Sequence, residues 1–175
     1  MIKKKSKAAA SREQLRDEFF PDAGRAWLGQ SEKGYFCVPR TLPLVLSLLR
    51  IIGANARTDI VSVYMELLSR NMGEGFVELS PAEDHAYASG YNSTRAKRSW
   101  TERMKVLEEV GLIKTIPRGN RPYGYAFLVH PTLVVHQLKE DGEVPDDWWR
   151  IYRARQLEVR EPSAEELIEL ENLFK

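Results

Sequence analysis

Few residues in this chain are of types and spacings that do covalent or metal chemistry. There are three histidines, His85, His130 and His136, and one cysteine, Cys37. They form no His-Glu-x-x-His pair, and a single thiol cannot complete a tetrahedral zinc set, so no metal site is expected. No glycine-rich loop has the spacing that cradles phosphate, so no nucleotide cofactor is expected either. Glu83-Asp84-His85 sets two acids beside an imidazole, the raw material of general acid–base catalysis. The same residues follow Ser80-Pro81, however, and Ser80-Pro81-Ala82-Glu83 reads as a helix start, with Ser as cap, Pro at the first position and Glu at the third. Acids in a first turn complement the helix dipole without any catalytic role. The Arg121-Pro122-Tyr123-Gly124-Tyr125 stretch offers no nucleophile. The sequence is read as that of a non-enzyme.

Cations are what the chain does concentrate. The net charge is only +1. Residues 1–90 hold 12 Lys and Arg against 11 Asp and Glu, residues 91–136 hold 8 against 3, and residues 137–175 hold 6 against 11. A middle of +5 followed by an end of −5 calls for a polyanionic partner at the middle. Within it, a helix is expected over Thr94 to Val110, capped by Asn92 or Ser93 and stopped by Gly111. On a helical wheel Ala96, Trp100, Met104, Leu107 and Val110 share one arc, the core side. The opposite arc carries Thr94, Arg98, Thr101, Glu102 and Lys105, with Arg95 at its edge. Such a face fits the major groove, where Arg pairs with guanine and Glu accepts from cytosine. The blander alternative is a solvated face with an Arg98–Glu102 pair. Trp100 is assigned to the core, with base stacking as its alternative, and Arg103, on the core arc, to a structural ion pair.

The elements that would position these residues are legible around them. With 175 residues, 43% hydrophobic and 29% charged, the composition is that of one folded domain with appendages. Residues 1–10 are expected to be a mobile basic arm, its Lys3, Lys4, Lys5 and Lys7 seeking phosphate or only solubilising the end. Ser11 and Gln14 suggest a capping box, and residues 21–40 a loop. Leu42 to Ile52 reads as a buried helix ended by Gly53 and Asn55, and Asp59 caps a second over 60–68. Gly75 to Leu79 alternates as a strand. Leu112–Ile116 and Tyr123–Val129 read as two more, joined by a basic loop over 117–122. A short helix over 132–138, an acidic linker over 140–147, a helix over 148–157 with Trp148 and Trp149, and a capped helix from Pro162 complete the chain. No apolar run is long enough to span a bilayer, and the lone Cys37 fits a reducing compartment, so a cytoplasmic protein away from membranes is expected.

Residues 58–129 thus read helix, strand, short helix, turn, longer helix, strand, basic loop, strand. This resembles a winged helix-turn-helix domain. The run Arg103-Met104-Lys105-Val106-Leu107-Glu108-Glu109-Val110-Gly111-Leu112-Ile113 resembles the junction where a recognition helix enters the wing, and Ser80 to Arg98 the helix–turn–helix step. Phe36-Cys37-Val38-Pro39, Val63-Tyr64 with Ser69-Arg70, and Arg118-Gly119-Asn120-Arg121-Pro122 resemble the amino-terminal winged domain of plasmid replication initiators. The resemblance implies an α+β fold, mostly helical, with a winged helix core and helical amino- and carboxy-terminal extensions: an arm over 1–10, a winged domain over 11–136 and an acidic helical tail over 137–175. It implies binding of double-stranded DNA, as a transcriptional regulator or a plasmid replication or maintenance protein. Thr94, Arg95, Arg98, Thr101, Glu102 and Lys105 would be on the recognition helix and Arg118, Asn120 and Arg121 on the wing, the latter touching phosphate or the minor groove. The alternative is a winged module for protein contact, using the acidic tail and its Trp pair. A homodimer is expected, because one small core should not absorb both the Leu42–Ile52 helix and the Leu167, Ile168, Leu170, Leu173 and Phe174 face of the last helix; the rival is that the tail folds back on its own domain.

Overall fold

Leu, Val and Ile fill most of positions 42–52, and Pro43 suits a first helical turn. In a computed structural model of the chain this stretch is helix α1 (Leu42–Asn55), with Leu42, Val45, Leu48 and Leu49 buried and Ile51 exposed. The structure describes residues 36–173 apart from Arg57 and Glu74, and ahead of them only Ser11, Gln14 and Phe19, which are helical, and Gly34. The expected basic arm and most of the segment up to residue 35 lie outside the described residues. Helix α1 runs through Gly53 instead of ending there. A Cβ at Gly53 would lie 2.3 Å from the Thr58 carbonyl oxygen, so glycine is what lets the chain fold back against its own helix.

Helix α2 (Val61–Arg70) follows; Ile60 and not the expected Asp59 holds the cap position, and the Asp59 carboxylate accepts the Val61 N–H at 3.0 Å from one residue further out. Strand β1 (Phe76–Glu78) leads to helix α3 (Ala82–Ala88). This helix starts one residue later than the Ser80 box predicts. Pro81 holds the cap position in extended backbone, and Ser80 spends its polar groups elsewhere. Helix α4 (Ala96–Glu109) buries Trp100, Met104 and Leu107, as the wheel requires. Thr94 and Arg95, expected within it, fall in the preceding turn. Ser93 accepts the Arg95 N–H on its Oγ and the Ala96 N–H on its carbonyl, which holds that turn closed.

Strands β2 (Ile113–Arg118) and β3 (Arg121–Leu128) form a tighter hairpin than the 117–122 loop expected. Only Gly119 and Asn120 lie outside the ladder. The register shifts between Ile116 and Arg118, so Pro117 sits at a bulge on an edge strand, where its missing N–H removes no ladder bond. Across from it Gly124 has no room for a side chain, since a Cβ there would meet the Arg118 Cβ at 2.2 Å. The sheet is antiparallel in the order β1-β3-β2. Val77, Ile113, Ala126 and Leu128 face the helices and join the core.

The carboxy-terminal elements are helices α5 (Pro131–Glu140), α6 (Asp146–Val159) and α7 (Ala164–Leu173). Residues Phe36–Lys175 form one compact unit, an α+β fold in which Val144, Trp148 and Tyr152 belong to the same core cluster as Leu48. The tail therefore folds back, the rival of the two arrangements expected. Trp148 donates its Nε1–H to Ser47 Oγ of α1 at 2.7 Å. The Glu161 carboxylate accepts from Thr41 at 2.7 Å and from Thr132 at 2.8 Å, joining the α6–α7 turn to the starts of α1 and α5. The α7 box is formed as expected: Ser163 N–H donates to Glu166 at 2.8 Å and Glu166 N–H to Ser163 Oγ at 3.2 Å. Among the described residues no helix is long and apolar enough to cross a membrane.

Burial holds His130 and His136 below the usual histidine range, with Glu161 and Glu165 pulling weakly the other way. The unfolded chain then binds more protons than the folded one as pH falls through that range, so stability falls with it. The melting temperature should drop on going from about pH 7.5 to about pH 5.5, and a His130→Asn, His136→Gln double variant should flatten the profile.

Candidate functional site

Helix α4 owes its position to a buried polar centre beneath it. Glu66 of α2 and His85 of α3 are both buried, with Nδ1 of His85 3.0 Å from Glu66 Oε1 and 3.1 Å from Oε2. The Ser80 N–H points at His85 Nε2 from 3.0 Å, so Nε2 accepts, and the imidazole proton sits on Nδ1 and is donated to Glu66. Arg70 pairs with the same carboxylate from the half-exposed side. The indole of Trp100, on α4, stacks on the imidazole at 5.3 Å and 19° and meets Tyr123 of β3 edge-on at 5.6 Å. Trp100 is 1% exposed, so it is a core residue and not a base-stacking one. His85 is equally inaccessible, whereas Glu83 and Asp84 are exposed.

Further contacts fix the ends of α4. Arg103 donates to the carbonyls of Asp59 at 2.8 Å and Ser99 at 2.7 Å and lies over the Tyr91 ring at 4.5 Å. Its role is structural as expected, but its partners are carbonyls and a ring in place of an ion pair. At the other end Glu108 accepts from the Thr115 N–H at 3.1 Å and its hydroxyl at 2.6 Å, locking α4 to β2.

The surface this leaves is divided. Arg98, Glu102 and Lys105 are exposed on α4, and the cations are engaged along the helix: Arg98 with Glu102 at 2.8 Å, Lys105 with Glu109 at 3.6 Å. Arg118 pairs with Glu78 of β1 and lies 5.5 Å from the Tyr125 ring centre, so it is turned along the sheet. Thr101 of α4 and Asn120 and Arg121 of the hairpin meet at a cleft of about 270 Å³. Lys97, which the wheel reading left out, lines the same cleft and pairs with Glu83 at 3.0 Å, holding that carboxyl below the usual range. Its signal in the sequence is its place one turn before Trp100 and Thr101 on a helix that turns toward the hairpin. Thr94 and Arg95 are exposed in the turn ahead of α4. Among the described residues no group of His, Cys, Asp and Glu is placed to hold a metal ion.

Truncating Trp100 to Ala should cost about 3–5 kcal/mol in a chemical or thermal melt. Glu66→Leu, which strands the His85 N–H, should cost about 1–3 kcal/mol, more than the exposed Glu102→Ala, which should change stability little.

Comparison of the chain with protein-family models, with curated proteins and with solved structures finds no match.

Proposed function

We propose that this chain is a winged helix-turn-helix protein that binds double-stranded DNA, with α4 as recognition helix and the β2–β3 hairpin as wing. One observation carries the reading: a helix anchored by its apolar face and a two-residue turn followed by Arg121 flank a single cleft, so that Thr101 and Lys97 share a surface with Asn120 and Arg121. The element order α2–β1–α3–α4–β2–β3, with the hairpin's inner strand between β1 and β2, supports it. So does the +5 of residues 91–136. The Arg98–Glu102 pair is exposed at both ends and gives way at little cost, freeing one side chain for guanine and the other for cytosine. Arg121 reaches phosphate, and Arg118 acts through the wing it braces. The role is binding and not catalysis, in the cytoplasm, as transcriptional regulator or plasmid replication or maintenance protein. The other reading, a protein-contact module displaying the Trp pair of the tail, has less support, because Trp148 is spent on the core and on Ser47. A homodimer is retained on narrower ground: Ile168 and Leu170 of α7 stay about half exposed.

Duplex binding should weaken with salt at a slope of about −0.9 per phosphate contact. Arg98→Ala should lower specific binding by about 1–3 kcal/mol and nonspecific binding much less, whereas Arg121→Ala should weaken both alike. An unchanged specificity ratio for Arg98→Ala would remove α4 from base reading. Light scattering of the full chain against Ile168→Ser, Leu170→Ser tests the dimer: a monomeric mass for the unsubstituted chain refutes it.

A further inference from the structure

The sheet has two faces, and among the described residues only one is packed against by the helices. Its register places Phe76, Phe127 and Lys114 side by side on one rung of the outward face, and Glu78, Tyr125 and Ile116 on the next. Phe76 is 47% exposed, Phe127 49% and Ile116 63%, while the intervening Val77 and Ala126 are buried. Phe76 and Tyr125 stack at 5.6 Å and 22°. The one acid on this face, Glu78, is neutralised by Arg118. Lys114 on one edge and Arg121 at the hairpin end have no carboxylate partner among the described residues. Exposed rings flanked by cations, with the acid cancelled, are complementary to bases on a phosphate chain.

We propose that this outward face, built from Phe76, Tyr125 and Phe127 with Lys114 and Arg121 at its margins, binds single-stranded DNA. Aromatic rings on a sheet stack bases of any sequence, and cations beside them follow the backbone. Successive outward residues of a strand lie about 6.8 Å apart. Bases in a duplex rise about 3.4 Å and stay paired, so they cannot lie on two such rungs, whereas a strand with splayed bases can. Thymine carries a methyl group that uracil lacks, and apolar contact of that methyl with the exposed Phe76 and Phe127 rings favours DNA over RNA. It also adjoins the wing at Arg118 and Arg121, so a strand held here continues from a duplex held at α4. The inference stands on the sheet face alone and does not require the duplex reading to hold.

Fluorescence anisotropy of the full chain with a labelled oligothymidine, an oligouridine and a random duplex tests it. The chain should bind oligothymidine more tightly than oligouridine. Phe127→Leu, which keeps apolar bulk but loses the ring, should weaken oligothymidine binding about fivefold or more, with the melt and duplex binding unchanged. Phe127→Tyr should bind within about twofold of the unsubstituted chain. No oligothymidine binding, equal binding by Phe127→Leu, or tighter oligouridine binding overturns the proposal. So does loss through Arg98→Ala with Phe127→Leu intact, which puts the strand on α4. A dimer that Phe127→Leu dissociates, with no oligothymidine bound, gives the face to a second copy and also overturns it.

Discussion

A carboxylate and an imidazole are buried together under α4, and the arrangement of three helices follows from keeping both satisfied. Glu66 would be costly in the core by itself. It is held there by the His85 N–H and by Arg70 reaching in from the surface. His85 in turn needs a donor on its second nitrogen, and the Ser80 backbone N–H supplies it. That requirement fixes where the chain must be just before α3, which explains why Ser80 is not the helix cap. Trp100 then covers the imidazole with its own ring, and Tyr123 closes the edge. Helices α2, α3 and α4 and strand β3 all contribute to this centre, and moving α2 or α3 leaves a buried polar group without its partner.

The tail repeats this logic on a smaller scale. Glu161 carries a carboxylate that two threonine hydroxyls share, with the Tyr152 hydroxyl 3.3 Å from Thr132. Trp148 and Tyr152 bring their rings into the core while their polar atoms find Ser47 and Thr132. The acidic carboxy-terminal segment is thus a clamp across α1 and α5. Most of its other carboxylates are exposed.

The basic side is less free than its composition implies. Four of the eight cations of residues 91–136 lean on a neighbouring carboxylate along α4 or across the sheet. Exposed pairs of this kind are weak and are readily exchanged for phosphate. They keep the long side chains ordered near the surface they would use. The ladder of β2 and β3, the bulge at Pro117 and the close approach at Gly124 keep the hairpin stiff up to its two-residue turn. Arg121 and Asn120 are therefore presented at a fixed place relative to Thr101 and Lys97.

The amino-acid sequence by itself determined the elements and which face of each is apolar. Trp100, Met104 and Leu107 point inward because their spacing leaves no other choice, and the Ser163–Glu166 box and the bond from the Val61 N–H to Asp59 form from neighbours a few residues apart. Interactions of that range are written in local order. What depends on distant partners was not legible. Nothing in the local pattern says that Glu66 meets His85, that Thr41 meets Glu161, or that Trp148 is claimed by Ser47, since each pair joins residues between 19 and 120 positions apart. The same holds for Lys97, whose place at the cleft exists only once the hairpin is folded beside α4, and for the aromatic rungs of the sheet, which need the register of three strands before Phe76 and Phe127 become neighbours. Local sequence fixes periodicity. Only the folded chain decides which periodic faces cover one another, because that choice is made by buried polar groups finding partners across the core.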